Sequence, residues 1–122
     1  MTIGILGGGV WGSALARVLS NNKVIIYARD EKIVKSINEH KINPKLKYSS
    51  FNENVIATTS LKEIRNVKFL FITLPAQNIR EVIKDSSLHN KNHHILICSK
   101  GIEISSSKFL TDVFHEMMPF KS

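Results

Sequence analysis

The glycine turn, Gly7-Gly8-Gly9-Val10-Trp11-Gly12, constrains the fold of this chain more than any other feature. It matches G-x-G-x-x-G, a pattern that is weak alone but specific when it follows a strand and opens a helix. Residues 2–6 form a short apolar run before the turn, and residues 11–19 after it carry apolar side chains at helical spacing. The sequence therefore predicts a strand, a tight turn and a helix in this order, and a plain glycine-rich link is the less favoured interpretation.

Each glycine of the pattern has its own predicted role. Gly7 permits the tight turn, Gly9 lets the backbone approach a pyrophosphate, and Gly12 lets the helix pack against the sheet. The backbones of Val10 and Trp11 stand where unpaired helix amides attract an anion, and the Trp11 ring is expected to pack near the turn. A P-loop is excluded because no Lys-Ser or Lys-Thr pair follows the glycines. The turn is therefore predicted to hold the pyrophosphate of NAD(H) or NADP(H).

The rest of the chain alternates between strand-like and helix-like segments. The predicted strands are residues 2–6, 24–27, 55–58, 68–74 and 94–98, and the predicted helices are 11–19, 30–37, 61–65, 78–84 and 105–117. The strands are apolar throughout, which indicates burial on both faces, and the alternation is typical of a parallel sheet covered by helices. We therefore predict an α/β fold. It is a Rossmann-type doubly wound, mostly parallel sheet with helices on both faces, and residues 1–122 form one NAD(P)-binding domain.

The end of the second predicted strand bears on the choice between NAD and NADP. NAD-selective sites place an acidic residue about 20 residues beyond the glycines, where it binds the ribose hydroxyls. In this chain Arg29 stands at or just after that place, and an arginine can pair with a 2′-phosphate and stack on adenine. Asp30, the next residue, can serve as the N-cap of the following helix. These residues favour NADP(H) or use of both coenzymes.

Composition narrows the classes of partner. The formal net charge is +7, but the basic residues are scattered and the chain has no nucleic-acid-binding motif, so no nucleic-acid role is predicted. No apolar run approaches the ~18 residues of a membrane span, and the start of the chain does not resemble a secretion signal. We therefore expect a cytoplasmic protein without stable membrane insertion.

The cysteine and histidines are predicted to be structural or solvated. The single cysteine, Cys98, lies in an apolar run and is expected to be a buried core residue. His89, His93 and His94 lie close together, but no cysteine or acid pattern with metal-ligand spacing accompanies them. They are predicted to be solvated loop residues, and no metal site is predicted.

Several segments together resemble one enzyme family. The glycine turn continues into Ser13-Ala14-Leu15-Ala16, and the whole segment is similar to the N-terminal signature of NAD(P)-dependent glycerol-3-phosphate dehydrogenases. The later segments that agree in order and spacing are Tyr27-Ala28-Arg29-Asp30, Asn43-Pro44-Lys45, Ala57-Thr58-Thr59, Leu74-Pro75-Ala76 and Lys100-Gly101-Ile102-Glu103. The resemblance departs at residues 46–50, where the family usually has Tyr-Leu-Pro.

The resemblance implies an oxidoreductase that interconverts dihydroxyacetone phosphate and sn-glycerol 3-phosphate for phospholipid synthesis. It implies NADP or NAD as cofactor, a small phosphorylated substrate, and a homodimer of the full-length protein. Val10 and Trp11 correspond to cofactor-contacting turn positions, and Arg29 to the adenosine-phosphate side. Pro75 corresponds to a position beside the nicotinamide ribose, and Lys100 to a lysine that meets both cofactor and substrate.

The resemblance also implies that the chain is the N-terminal part of a longer protein. The family's general acid/base is a lysine in a following helical domain, so no catalytic residue is predicted here. The 122-residue chain alone is expected to bind nucleotide without turnover. Two interpretations stay open. One is another dehydrogenase, of the ketopantoate reductase or 3-hydroxyacyl-CoA dehydrogenase type, against which Lys100-Gly101-Ile102-Glu103 argues. The other is a non-enzymatic nucleotide-sensing module.

Overall fold

The computed structural model describes residues 1–85, 88, 93–99 and 101–117. Within them, a parallel sheet is built from β1 (Thr2–Leu6), β2 (Lys23–Tyr27), β3 (Val55–Thr58), β4 (Phe69–Ile72) and β5 (His94–Ile97). The helices are α1 (Val10–Val18), α2 (Glu31–His40), α3 (Ile79–Ile83) and α4 (Leu110–Met117). A short antiparallel hairpin consists of β6 (Ile102–Glu103) and β7 (Lys108–Phe109), and single 3₁₀ turns cover Pro44–Leu46, Leu61–Ile64 and Ala76–Asn78.

The strand order places a ligand site at one edge of the sheet. In space the strands run β3-β2-β1-β4-β5, and each neighbouring pair is parallel. The chain moves outward on one side of β1 and then crosses to β4 on its other side. Such a reversal opens a crevice at the carboxyl ends of the two central strands, where doubly wound sheets bind ligands. The predicted doubly wound α/β fold is confirmed.

Two apolar clusters lie on opposite faces of the sheet, because successive side chains of a strand point to opposite sides. Ile5 and Ile26 face the cluster that α1 and α2 cover. Leu6 and Leu70 face the other cluster, which α3, α4 and the turn at Leu61–Ile64 cover. All four side chains are fully buried. The prediction of helices on both faces is therefore also confirmed.

The strand β5 differs from its prediction because it forms one edge of the described sheet. Only β4 pairs with it among the described strands, and its side chains alternate between exposed and half-buried. Cys98, which follows β5, is exposed, so the expectation of a buried core cysteine is wrong. An apolar composition indicates burial only when both neighbours and both faces are covered.

The last predicted helix begins later than expected. The sequence predicted helix over residues 105–117, but the described structure has the hairpin β6–β7 first and starts α4 at Leu110. Ser107 adopts a left-handed backbone with φ of 58°. It is the last residue of the turn that connects β6 to β7. Phe109 was predicted on the apolar helix face and is instead exposed on β7.

His93 is buried rather than solvated, which corrects its prediction. Its side chain is only 7% exposed, and its Nδ1 lies 2.7 Å from the backbone oxygen of Val67. Its Nε2 has no hydrogen-bond partner among the described residues. Burial lowers the pKa of His93 below its ordinary value, although the bond to Val67 acts in the opposite direction. His94 is exposed as predicted, and His89 lies outside the described residues.

We expect mild acid to destabilise the chain through His93. Because the folded chain holds this imidazole at a lowered pKa, the unfolded chain binds more protons below about pH 6.5. The stability present above that pH is therefore lost as the pH falls. The midpoint of urea unfolding should decrease from about pH 7.5 to about pH 5.5 in wild type and decrease less in His93→Gln. His94→Gln is the control and should keep the wild-type dependence. Equal pH dependence in all three proteins would contradict the prediction.

Candidate functional site

A cleft of about 470 Å³ opens at the carboxyl ends of β1, β2 and β4. This is the edge at which the strand order reverses, so the cleft lies where the topology predicts a ligand. Its lining residues are Gly7, Gly8, Gly9, Val10, Trp11, Tyr27, Ala28, Arg29, Asp30, Ile33, Lys45, Thr73, Leu74, Pro75 and Asn78. Of the predicted cofactor-contacting residues that the structure describes, all except Gly12 are among them.

Gly7 and Gly12 are required by the packing of the turn itself. Gly7 has φ of +136°, a backbone conformation that side chains rarely adopt. A Cβ atom at Gly12 would lie 2.1 Å from the carbonyl oxygen of Gly7 and 2.9 Å from Thr73 Oγ1. Thr73 in turn donates its hydroxyl to the Leu6 carbonyl at 3.0 Å. The two glycines therefore let α1 approach β1 and the end of β4 closely.

Gly9 is different, because nothing in the described structure crowds it. A Cβ atom there would meet no described atom within 4 Å, and its φ of −85° is open to any residue. The fold alone does not explain a glycine at this position. Open space beside the backbone at the mouth of a helix is what a pyrophosphate needs for close approach.

The N-terminus of α1 faces this space, and no acidic residue in its first turn offsets the positive end of the helix dipole. Gly9 is its N-cap and supplies no side-chain acceptor, and the first turn contains no acidic residue. The first amides of a helix have no acceptor within the helix, so those of Val10 and Trp11 can donate to an anion. The arrangement fits the phosphates of a dinucleotide.

Asn43 holds the glycine turn in place through hydrogen bonds. It was not identified from the sequence as a site residue. Its fully buried side chain donates from Nδ2 to the Gly8 carbonyl at 2.7 Å and to Ser13 Oγ at 2.6 Å. Its Oδ1 accepts from the amide of Lys45 at 3.0 Å. One side chain thus joins the connection after α2 to both the turn and α1. In the sequence, Asn43 appeared only within the Asn43-Pro44-Lys45 segment of the family resemblance, and an Asn before a proline is common in loops.

Two cations and one acid line the cleft. Arg29 and Asp30 lie just after β2, separated from it by Ala28, and Lys45 lies in the turn at Pro44–Leu46. Asp30 Oδ1 accepts from the amide of Lys32 at 2.9 Å, so its predicted role as N-cap of α2 is confirmed. Arg29 and Lys45 supply two cationic groups in the cleft that a phosphate can contact.

Trp11 and Pro75 flank the other side of the glycine turn. The Trp11 side chain is 63% exposed, so the expectation that it packs near the turn is wrong. Both residues also line a smaller recess with Ser99, the last described residue before Lys100. The Ser99 hydroxyl donates to the Leu74 carbonyl, which ties the end of β5 to the end of β4. Lys100 lies outside the described residues.

The hairpin that follows Lys100 is held to α3 by an ionic network. Arg80 on α3 contacts Glu103 at 2.9 Å and Glu116 at 3.0 Å. Arg80 and then Ser106 hold the pKa of the buried Glu103 carboxyl below its ordinary value. Arg80 and Lys108 lower the pKa of Glu116 to about 2. The network fixes the segment after Lys100 to the helix beside the cleft.

The described residues lack both a membrane-spanning helix and a metal-binding cluster. None of the described helices is both long and apolar enough to cross a membrane. The described part of the chain also contains no group of three His, Cys, Asp or Glu residues that could hold a metal ion.

Comparison with known sequences identifies the family. The family model for the NAD-dependent glycerol-3-phosphate dehydrogenase N-terminus matches residues 2–122. A glycerol-3-phosphate dehydrogenase [NAD(P)+] of Neorickettsia sennetsu is 34% identical over 119 residues, which is 94% of this chain and 36% of the relative. The chain therefore spans little more than a third of the length of this curated relative.

Solved structures agree with the sequence comparison. The crystal structure of glycerol-3-phosphate dehydrogenase from Coxiella burnetii matches with a TM-score of 0.87 and 28% identity, covering 98% of this chain and 38% of that chain. A probable 2-dehydropantoate 2-reductase from Bacillus subtilis matches with a TM-score of 0.64 and 27% identity, covering 83% of this chain and 34% of that chain. The alternative dehydrogenase type thus shares the fold and fits less closely.

Proposed function

Because this chain belongs to the NAD-dependent glycerol-3-phosphate dehydrogenase family, we propose that it forms the coenzyme-binding part of such an enzyme. The reaction is the reversible reduction of dihydroxyacetone phosphate to sn-glycerol 3-phosphate with NADPH or NADH. Residues 1–122 act as one nucleotide-binding domain in this proposal. The family match favours it over a ketopantoate-type or 3-hydroxyacyl-CoA-type enzyme and over a sensing module.

The open space at Gly9 carries the proposal. The coenzyme pyrophosphate lies against Gly9 and receives the amides of Val10 and Trp11 at the start of α1. The adenosine end lies toward Arg29 and Lys45, and the nicotinamide end lies toward Pro75. Lys100 contacts both the coenzyme and the phosphorylated substrate.

In this proposal the residues of this chain bind the coenzyme and the substrate and hold them in the geometry that the reaction needs. When bound, the nicotinamide supplies the hydride that reduces the substrate carbonyl. The glycine turn fixes the coenzyme at its phosphates, and a lysine ammonium at position 100 attracts the negative substrate. The setting is a cytoplasmic enzyme that acts on a small molecule and functions as a homodimer in its full-length form.

A fluorescence titration tests the proposal directly. Trp11 is the only tryptophan of the chain and lines the cleft, so its emission reports on an occupied site. We expect both NADH and NADPH to quench Trp11 emission in a saturable manner, with matching heats in calorimetry. A folded sample that shows neither quenching nor heat with either coenzyme would refute the proposal.

Arg29→Ala is expected to weaken NADPH binding about five- to tenfold and to change NADH binding less than about twofold. A guanidinium gains a charge-assisted bond to a 2′-phosphate, and partial exposure of Arg29 reduces the gain. Arg17→Ala is the control, because Arg17 lies in the last turn of α1, at its far end from the glycine turn. Equal losses for the two coenzymes would remove Arg29 from the 2′-phosphate role.

A further inference from the structure

Arg29 does not stand alone at the adenosine end of the cleft. Its Nη2 lies 3.5 Å from Oε2 of Glu81, and the two side chains are 49% and 62% exposed. Arg29 follows β2 and Glu81 lies on α3, which follows β4. These strands flank β1 on its two sides, so the ion pair joins both walls of the site.

Helix geometry explains why Glu81 reaches this position. Asn78, which precedes α3, lines the cleft, and Glu81 comes three residues later. Residues three apart share a helix face, so Glu81 extends the side of α3 that begins at the cleft. Its neighbour Arg80 points instead toward the hairpin and binds Glu103.

The formal charges of the ionic residues of the cleft cancel when Glu81 is counted. Arg29 and Lys45 are positive, and Asp30 and Glu81 are negative. An exposed ion pair is worth little and exchanges readily, so a ligand phosphate can compete with Glu81 for Arg29. A 2′-phosphate must displace the carboxylate from Arg29, whereas a 2′-hydroxyl need not.

We propose that Glu81 is a specificity-determining residue that lowers the affinity for 2′-phosphorylated coenzyme by neutralising Arg29. It thereby brings the affinity for NADPH toward that for NADH. The inference rests on the proposed function, because it concerns the coenzyme site of the same cleft.

The test is a titration of the whole chain with NADH and NADPH, with Trp11 emission as readout. Glu81→Gln should bind NADPH roughly three- to fivefold more tightly and change NADH binding by less than about twofold, the size expected for exposed charges. The gain should shrink in high salt, since exposed charges are screened. Glu53→Gln is the control. Glu53 is an exposed glutamate just before the amino end of β3, whereas the cleft lies at the carboxyl ends of the strands.

A double substitution separates the role of the ion pair from general repulsion. In the Arg29→Ala background, Glu81→Gln should leave the ratio of NADPH to NADH affinity unchanged. The proposal is overturned if Glu81→Gln alone leaves the ratio unchanged, if the gain persists without Arg29, or if Glu53→Gln gives the same gain. If wild type binds neither coenzyme, the proposed function fails together with this inference. If wild type binds both coenzymes and Glu81→Gln leaves the ratio unchanged, only this inference fails.

Discussion

Gly12→Ala should destabilise the folded chain by about 2–4 kcal/mol, because the added methyl group overlaps the backbone of the turn. A Cβ atom at this position would lie 2.1 Å from the Gly7 carbonyl oxygen, and only movement of backbone relieves that contact. Alanine favours helix over glycine by roughly 1 kcal/mol, which is too little to compensate. Urea unfolding followed by circular dichroism measures the difference.

Gly9→Ala should give the opposite pattern. Its backbone conformation suits alanine and no described atom lies within 4 Å, so the free energy of unfolding should change by less than about 1 kcal/mol. Coenzyme affinity should nevertheless fall about tenfold or more, because the methyl group takes up the space that the pyrophosphate needs beside the backbone. Calorimetric titration with NADH and NADPH checks this.

The two variants control for each other. Gly12→Ala tests the packing of α1 on the sheet, and Gly9→Ala tests access to the helix N-terminus. Undiminished coenzyme binding by Gly9→Ala would show that the pyrophosphate lies elsewhere. Wild-type stability of Gly12→Ala would show that the turn can move away from α1.

Asn43→Ala should cost about 2–3 kcal/mol of stability and weaken binding of both coenzymes. The substitution leaves the Gly8 carbonyl and the Ser13 hydroxyl without the donor that satisfies them, and an unmade buried hydrogen bond costs about 1–3 kcal/mol. It also frees the turn from the connection after α2. Asn43 therefore acts as a positioning residue, and its loss should lower affinity for NADH and NADPH by similar factors.

Asn54→Ala provides the comparison for Asn43. Asn54 is exposed and also donates from Nδ2, to the Ser20 carbonyl at 2.8 Å, so the same atoms are removed. Water can replace this bond, and we expect a loss of less than about 0.5 kcal/mol with unchanged coenzyme binding. A loss as large as that of Asn43→Ala would mean that burial beneath the glycine turn has no special importance.

The sequence was sufficient for the glycine turn, the succession of strand, turn and helix around it, and the cap of α2. These features depend on local chemistry, since a G-x-G-x-x-G between a strand and a helix and an Asp before a helix act within a few residues. Arg29 and Pro75 also line the cleft as their positions predicted. The ends of parallel strands meet at one edge, so strand ends in sequence become neighbours in space.

The missed features depend on contacts between distant segments. Asn43 is important because it donates to Ser13 on α1, and His93 is buried with its Nδ1 beside the Val67 carbonyl, which accepts its hydrogen bond. Cys98 is exposed because β5 forms an edge of the described sheet, a position that its composition does not report. The pairing of Glu81 with Arg29 likewise joins segments far apart in the chain, and no local pattern indicates it.

The short helix α3 has a consequence for redesign of coenzyme preference. Its adjacent residues Arg80 and Glu81 hold the hairpin after Lys100 and the arginine after β2. A chimera that exchanges only the end of β2 with another dehydrogenase would separate Arg29 from the carboxylate that balances it. A transplanted coenzyme preference should therefore be retained only when α3 and the end of β2 are exchanged together.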